Sequence, residues 1–424
     1  MDNNPVFVPD KWKWFVHDRF GMFIHWGTYA LGARHEWLKA NERIKDEDYQ
    51  KYFDMFDPDL YDPEEWASYA KAAGMKYFVI TTKHHEGFCL WDTKYTDYKA
   101  PNTPYGKDLI RPMVDAFRAE GIKVGFYHSL IDWHHPDFPI DSLHPMTANQ
   151  ELRETNPKRD VKKYAQYLYN QVEELLTNYG QIDYLFFDFS YPGEDGKGRD
   201  DWQSEKLIAM CRKCQPNIII NDRLNLEDVE GGYDFVTPEQ SQEREWPTRN
   251  GKRVLWETCQ TFSGSWGYHR DETGWKSIDQ LVKMLIDTVS RGGNLLLNVG
   301  PTARGEFDVR AEESLLGMGE WMRLHGRSIY GCTEAPNEFP QPQDCRLTYN
   351  PDKKRLYVHM YSWPIGEIAF DGFADKVAYC QLLNDASELS MHPSKGDNPR
   401  NTLEVRLPTL RPNVQVPVIE MYLK

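Results

Sequence analysis

The sequence predicts an α/β fold: an irregular (β/α)8 TIM-like barrel followed by a C-terminal antiparallel β-sandwich. Up to about residue 330, short apolar runs alternate with longer amphipathic runs, as in βα units around a parallel sheet. About eight of the apolar runs are strand-like, the number that a closed barrel requires. After Pro336 the runs become short and alternate apolar with polar residues, which is typical of an antiparallel sandwich.

The expected barrel strands are residues 21–25, 76–82, 123–127, 182–188, 217–221, 235–237, 254–258 and 294–299. The expected helices, with apolar residues at three-and-four spacing, are 108–120, 160–179, 202–214 and 278–291. Gly121 and Gly180 stand where the first two helices should end. Residues 224–253 are polar and rich in Gly, Pro and Glu, so the barrel should lack helices between its later strands.

The expected sandwich strands are residues 346–349, 355–363, 367–370, 376–383, 403–407 and 418–423. A chain of 424 residues is long for one compact domain. We therefore expect a catalytic barrel domain over residues 1–335 and a β-sandwich domain over residues 336–424.

Composition excludes several classes of partner. A formal net charge of −15 without a long Lys/Arg run disfavours nucleic acid. No stretch approaches the roughly 18 apolar residues of a membrane span, and the first five residues, Met1 to Pro5, lack the features of a signal peptide. The chain is therefore expected to be cytoplasmic.

The seven Cys are scattered, so reduced thiols are expected. Cys211 and Cys214 form a CxxC, but the sequence lacks the second pair that a zinc site needs.

Aromatic residues make up 14% of the chain, with 14 Trp and 24 Tyr. Their flat apolar faces pack well against sugar rings, which favours a carbohydrate ligand. In a parallel barrel the reactive groups lie at the carboxyl ends of the strands. Those positions carry His25, Trp26, His84, His85, Glu86, Tyr127, His128, Asp188, Asp222, Arg223, Glu239, Glu257 and Asn298.

Paired carboxyl groups at these positions fit the hydrolysis of a glycosidic bond with retention, which needs a carboxylate nucleophile and a second carboxyl as acid/base. Asp188 ends an apolar strand-like run, so it suits the nucleophile, although an Asp at this place can also cap the next turn. Glu239, Glu257 and Glu36 all suit the acid/base, and spacing alone does not rank them.

The four histidines His25, His84, His85 and His128 occupy three strand ends. Each of them suits a metal ligand, a hydrogen-bond partner of sugar hydroxyls, or a buried structural residue. No HxH occurs, and the segment that begins at His35 lacks the second His of HExxH, so we expect no metal.

Several segments resemble those of glycoside hydrolase family 29, the α-L-fucosidases. They are Phe20-Gly21-Met22-Phe23-Ile24-His25-Trp26-Gly27, His35-Glu36-Trp37, Thr82-Lys83-His84-His85-Glu86-Gly87-Phe88, Gly125-Phe126-Tyr127-His128-Ser129, Phe187-Asp188, Asn221-Asp222-Arg223, Ser265-Trp266-Gly267-Tyr268 and Gly292-Gly293-Asn294-Leu295-Leu296-Leu297-Asn298. They cover nearly the whole expected barrel in order.

The resemblance implies a retaining exo-α-L-fucosidase that acts by double displacement without metal or cofactor. Asp188 matches the nucleophile, and the Thr-Pro-Glu segment points to Glu239 as acid/base. The matched contacts to the substrate are His25, Glu36, Trp37, His84, His85, Tyr127 and Trp266, with Arg223 beside the site. His128 stands where many members carry Tyr and is expected to add a titratable group near the site, while Glu257 is expected to orient partners such as Arg223.

Two other functions fit the same residues. One is a related α-L-glycosidase of the α-L-galactosidase type, because an apolar pocket discriminates poorly against one added hydroxyl. The other is a carbohydrate-binding protein that has lost catalysis, although Asp188 and a candidate acid/base argue against it. The expected partners are a fucosylated oligosaccharide or glycoside and further copies of the chain in a homo-oligomer.

Overall fold

A computed structural model describes residues 8–424. The prediction that no signal peptide precedes the barrel was based on Met1 to Pro5, which lie outside the described residues.

Eight parallel strands form the first sheet: β1 (Phe20–Ile24), β2 (Tyr77–Lys83), β3 (Lys123–Ser129), β4 (Tyr184–Asp188), β5 (Ile219–Ile220), β6 (Phe235–Val236), β7 (Leu255–Thr261) and β8 (Asn294–Val299). Every expected barrel strand is present.

The eight strands close into a barrel. Their order in the sheet is β5-β4-β3-β2-β1-β8-β7-β6, and a parallel bridge between Asn221 and Phe235 joins the two ends. The N–H of Asp234 also donates to the carbonyl oxygen of Ile220 at 2.8 Å. Both closing strands, β5 and β6, are two residues long. The predicted irregular barrel is therefore confirmed, and its weakest pairing lies between β5 and β6.

The described residues also contain twelve helices. They are α1 (Lys13–Asp18), α2 (Tyr29–Gly32), α3 (Leu38–Asn41), α4 (Asp46–Asp54), α5 (Pro63–Ala72), α6 (Ile110–Ala119), α7 (Gln150–Arg153), α8 (Val161–Asn178), α9 (Arg199–Trp202), α10 (Ser204–Cys214), α11 (Ile278–Val289) and α12 (Val309–His325). Short 3₁₀ turns occur at Asp10–Trp12, Ala100–Asn102, Asn156–Lys158 and Gly326–Ser328. The four predicted helices correspond to α6, α8, α10 and α11.

The later part of the barrel lacks its helices, as the polar composition predicts. Within the described residues 221–254 the chain forms no helix, and apart from β6 it contains only a hairpin of Thr248–Arg249 and Lys252–Arg253. Gly121 and Gly180 follow α6 and α8 with φ of 73° and 76°, a left-handed conformation that glycine adopts without strain. Both glycines therefore end their helices as predicted.

The C-terminal strands are antiparallel. They are β9 (Thr333–Glu334), β10 (Cys345–Asn350), β11 (Arg355–Met360), β12 (Glu367–Phe370), β13 (Val377–Leu382), β14 (Met391–Pro393), β15 (Leu403–Arg406) and β16 (Val418–Leu423). A five-stranded sheet has the order β9-β10-β11-β16-β13, and a three-stranded sheet has the order β12-β15-β14.

Both C-terminal sheets contribute to one apolar core. Leu347, Val358 and Ile419 of the larger sheet are buried in the same cluster as Phe370 and Val405 of the smaller sheet, which confirms the predicted sandwich. The larger sheet begins at Thr333, whereas the division between residues 335 and 336 stays a prediction.

All seven cysteines are free thiols. Among the described residues, no helix combines the length and the apolar composition needed to span a bilayer.

Candidate active site

A cavity of about 250 Å³ opens at the carboxyl ends of the barrel strands. It is lined by Phe23, His25, Trp37, His84, His85, Tyr127, Phe186, Asp188, Phe189, Glu239, Cys259 and Trp266. The fold therefore brings together eight of the predicted site residues, which come from segments more than 200 positions apart in the chain. The wall combines aromatic rings with polar groups, as in a site that binds a small polar ring.

Asp188 is the last residue of β4, where the apolar strand reaches the cavity. Its Oδ2 accepts a hydrogen bond from the Tyr127 hydroxyl at 2.8 Å, and its Oδ1 accepts from Nη1 of Arg223 at 2.9 Å. The backbone N–H of Phe189 also donates to Oδ1 at 3.0 Å. Burial and the charge of Asp188 raise the pKa of Tyr127, so its hydroxyl stays a donor. Three donors thus stabilise and orient the carboxylate.

Arg223 links the two candidate catalytic carboxyl groups. While Nη1 binds Asp188, Nη2 lies 3.3 Å from Oε2 of Glu239. Thr237 orients the guanidinium, because its hydroxyl accepts from Nε at 3.1 Å and its carbonyl oxygen accepts from Nη2 at 3.0 Å. The pKa of Arg223 is raised, since the neighbouring carboxylates outweigh the cost of burial. A single cation therefore places Asp188 and Glu239 side by side.

The two carboxyl groups have different surroundings. The Asp188 side chain is 12% exposed, whereas the Glu239 side chain is 44% exposed at the rim of the cavity. Burial and the negative charge of Asp188 raise the pKa of Glu239, and the opposing effect of Arg223 is smaller. A buried, hydrogen-bonded carboxylate beside a rim carboxyl with a raised pKa is the pairing that a nucleophile and a general acid require.

His25 and His85 are held as neutral rings. Burial, together with repulsion from His84, lowers the pKa of both imidazoles well below the usual value. Nδ1 of His25 lies 2.6 Å from Oδ1 of Asn298, and Nδ1 of His85 lies 2.7 Å from the hydroxyl of Ser129. Since Oδ1 of Asn298 only accepts, and Ser129 donates to a backbone carbonyl, each Nδ1 carries the proton. Nε2 of each ring is left as an acceptor.

Of the remaining predicted contacts, Trp37, His84 and Trp266 line the cavity, whereas Glu36 lies beside it. Trp266 packs against His25 with a centroid distance of 5.1 Å. Oε2 of Glu36 accepts from the N–H of Gly267 at 2.8 Å, so Glu36 ties its own loop to the loop of Trp266.

His128 lies outside the cavity, which corrects its prediction as a substrate contact. Its Nδ1 is 3.0 Å from the hydroxyl of Thr82, and its ring packs against Trp91 among the helices. Successive side chains of a strand point to opposite faces. Because Tyr127 points into the barrel, His128 points out of it, where burial lowers its pKa.

Glu257 also lies away from the cavity. It is fully buried inside the barrel and accepts hydrogen bonds from the hydroxyls of Tyr184, at 2.6 Å, and Tyr77. Burial raises its pKa to about 7. The predicted strand ended at residue 258, but β7 continues to Thr261, so Cys259 and not Glu257 reaches the cavity. The expectation that Glu257 orients Arg223 is therefore wrong.

Four lining residues were not predicted as contacts: Phe23, Phe186, Phe189 and Cys259. Phe23 follows the alternation of β1, on which residues 21, 23 and 25 share the inner face, so the pattern contained the signal. Phe189 carried no such signal. It adopts a φ of 71°, which is unusual for a bulky residue, and this conformation lets its N–H reach Asp188.

Comparisons with known proteins agree with this geometry. The sequence profile of the family described as Alpha-L-fucosidase matches residues 9–327. The plasma α-L-fucosidase of Homo sapiens is 31% identical over 387 residues, which cover 85% of this chain and 78% of that protein.

Solved structures extend the similarity to the whole chain. The α-L-fucosidase isoenzyme 1 from Paenibacillus thiaminolyticus is 46% identical with a TM-score of 0.92, covering 98% of this chain and 99% of that one. A GH29 α-L-fucosidase from Bacteroides thetaiotaomicron, described as a trapped covalent intermediate with 2-fluoro-fucosyl fluoride, is 27% identical with a TM-score of 0.85, covering 100% and 98%. The chain belongs to the α-L-fucosidase family of glycoside hydrolases.

Proposed function

We propose that this glycoside hydrolase is a retaining exo-α-L-fucosidase, with Asp188 as nucleophile and Glu239 as acid/base. The observation that carries the proposal is the shared contact of both carboxyl groups with Arg223. This contact is compatible with the separation of roughly 5–5.5 Å that retaining glycosidases use. The covalent intermediate described for the Bacteroides relative supports the same course.

In the first step, Asp188 attacks the anomeric carbon of α-L-fucose and forms a covalent fucosyl ester. The bond to the leaving oxygen breaks as Glu239 transfers its proton to that oxygen. In the second step, Glu239 takes a proton from water, which attacks the same carbon and releases Asp188. Two inversions give net retention. In both steps the positive charge of Arg223 lies beside Asp188 and Glu239 and offsets the negative charge of whichever carboxyl group is ionised.

The cavity wall suits a single 6-deoxy sugar. Its volume of about 250 Å³ is below the roughly 300 Å³ at which sites for drug-sized ligands begin, which supports exo cleavage of one terminal residue. His25, His84 and His85 offer ring nitrogens to the hydroxyls, while Phe23, Phe186 and Phe189 offer apolar surface to the C6 methyl group. A terminal α-L-fucose of a glycan or glycoside is therefore the proposed substrate.

The stereochemistry of the first product tests the proposal. An NMR time course with an aryl α-L-fucoside should show α-L-fucose before mutarotation, whereas β-L-fucose as first product contradicts retention.

Asp188→Gly should lower turnover by several orders of magnitude, and azide should restore activity and yield β-fucosyl azide. Activity in EDTA excludes a metallohydrolase, and parallel assays with the α-L-galactoside measure discrimination at C6.

We also propose that the enzyme acts in a reducing compartment such as the cytoplasm. All seven cysteines are free and six of them are buried, and unpaired thiols are typical of reducing compartments. Fractionation of cells that produce the protein naturally tests this: recovery of the native protein outside the cytoplasm contradicts it.

A further inference from the structure

The turn after β2 holds a buried carboxylate that the mechanism above does not use. Glu86 is 1% exposed. The N–H of Gly87 donates to the carbonyl oxygen of His84 at 3.1 Å, which closes a tight turn over residues 84–87. Gly87 has a φ of 88°, a conformation that favours glycine. The turn therefore brings the side chain of Glu86 back towards the ring of His84.

Glu86 and His84 are in contact inside the protein. Oε2 of Glu86 lies 3.5 Å from Nδ1 of His84. Among the described residues 8–424, Nδ1 of His84 and both carboxylate oxygens of Glu86 are buried and have no hydrogen-bond partner. A Cβ at Gly27 would lie 2.8 Å from Oε1 of Glu86, so the chain after β1 leaves room for this carboxylate. Buried polar groups are costly when unpaired, which favours a direct interaction between the two residues.

The other two histidines of the cavity show what such a partner does. Nδ1 of His25 is anchored by Asn298, and Nδ1 of His85 is anchored by Ser129. In both rings Nδ1 is bound behind the cavity wall and Nε2 is left for a ligand. His84 lines the same cavity, and Glu86 occupies the corresponding place behind its ring. Unlike Asn298 and Ser129, Glu86 brings a negative charge.

We propose that Glu86 is a positioning residue for the hydrolysis: its carboxylate accepts the Nδ1 proton of His84 and holds Nε2 towards the sugar as an acceptor. A partner at one ring nitrogen determines which nitrogen carries the proton, and a carboxylate partner makes the other nitrogen more basic. The inference rests on the proposed contact between His84 and the sugar.

A double-mutant cycle tests the inference. Glu86→Gln should lower kcat/KM for 4-nitrophenyl α-L-fucoside about tenfold, the lower end of the effect of losing such a partner. His84→Ala should lower it further. If Glu86 acts through His84, adding Glu86→Gln to His84→Ala should cost less than about twofold more, because interacting residues are not additive. Equal factors in both backgrounds would show a general structural role and overturn the inference.

Glu174→Gln is the matched control. Glu174 is also buried, but it accepts from Nε1 of Trp91 at 2.8 Å on the helix side of the barrel. Its substitution should change kcat/KM by the same factor with or without His84. If His84→Ala leaves kcat/KM unchanged, the sugar contact itself fails. If His84→Ala lowers kcat/KM but the cycle is additive, only the role of Glu86 fails.

NMR of protein labelled with ¹⁵N-histidine gives a readout independent of activity. His84 should show a protonated Nδ1 in the wild type, and this signature should be lost in Glu86→Leu, which removes the acceptor. An unchanged His84 signal overturns the inference. Should Glu86→Gln unfold in a thermal melt, Glu86→Asp keeps the charge but withdraws it from Nδ1, and the same cycle and spectrum then apply.

Discussion

At the scale of single residues, the site depends on what surrounds each carboxyl group more than on its place in the chain. Glu239 follows one strand-like segment and Glu257 lies within the next, yet Glu239 shares Arg223 with Asp188, whereas Glu257 is enclosed by Tyr77 and Tyr184. The sequence contained both glutamates but not the register of β7. The structure separates them, and two predictions follow from that separation.

Loss of Glu239 should depend on the leaving group. A general acid matters most when the leaving oxygen is a poor leaving group and little when it is an activated phenol. Glu239→Ala should therefore depress kcat/KM for a fucosyl disaccharide at least about a hundredfold more than for a dinitrophenyl fucoside. Glu257→Ala removes a buried acceptor below the cavity, so it should affect both substrates alike. Steady-state kinetics with the two substrates decide, and the reverse pattern would exchange the two assignments.

The alkaline limb of the pH profile should belong to Glu239. A general acid is active when protonated, so kcat/KM should fall as pH rises through its pKa. Burial and Asp188 raise that pKa, so the limb should lie above the usual value of about 4.3 for glutamic acid. Burial lowers the pKa of His25 and His85, so neither ring is expected to produce an alkaline limb near neutral pH. With a fucosyl disaccharide, whose cleavage depends on the acid, the residual activity of Glu239→Gln should lack this limb, and its persistence would assign the limb to another group.

At the scale of elements, the sequence predicted the strands better than the helices. All eight barrel strands are buried runs flanked by polar residues, so their apolar composition identifies them. The alternation of side chains along a strand decides which residues face the cavity. The prediction for His128 did not take this alternation into account and therefore placed its side chain on the wrong face of β3. Helix α12 was not predicted, and its interior contains Gly317 and Gly319, residues that are unfavourable within a helix. Tertiary packing explains both glycines.

Gly317 and Gly319 let α12 approach two neighbouring helices, and their substitution should differ in cost. A Cβ at Gly319 would lie 2.1 Å from the carbonyl oxygen of Ala72 at the end of α5, whereas one at Gly317 would meet the end of the flexible Ile278 side chain at 2.3 Å. Backbone yields less than a rotatable side chain. Gly319→Ala should therefore lower the free energy of unfolding by about 1–3 kcal/mol.

Gly317→Ala is the matched control for this substitution. It should lower the free energy of unfolding less, because Ile278 can move and alanine improves helix propensity by about 1 kcal/mol. Urea unfolding of the two variants measures the difference. Equal losses would contradict the account of α12 packing.

At the scale of the whole molecule, the two predicted domains share a core. Val416 and Val418 of the C-terminal part are buried in the same cluster as Leu315, Met318 and Trp321 of α12. Such sharing is not visible in a sequence, because both sides of the contact consist of ordinary apolar residues. The change of pattern at Pro336 marks a change of architecture and does not show whether the two parts unfold separately. Homo-oligomer formation likewise stays a prediction.

The contact between the parts is also polar and specific. Nε1 of Trp321 donates to the carbonyl oxygen of Val416 at 3.0 Å. Asp287 of α11 binds Arg346 of β10 and the hydroxyl of Tyr361. Glu420, fully buried in β16, binds Arg327 and accepts from Tyr357 at 3.2 Å. Separation of the parts would break these contacts and expose the apolar side chains of Val416, Val418 and Trp321 to water, which is unfavourable.

We therefore expect one cooperative unfolding transition for the full chain. Independent domains would give two transitions, but a shared core couples them. In calorimetry the ratio of calorimetric to van't Hoff enthalpy should be close to one, and tryptophan fluorescence should change at the same temperature.

A chain truncated after residue 335 keeps every cavity residue but exposes Trp321, which is 2% exposed in the whole molecule. It should lose both the transition and the fucosidase activity. Retained activity in the truncated chain, or two separate transitions in the full one, would show that the barrel folds by itself.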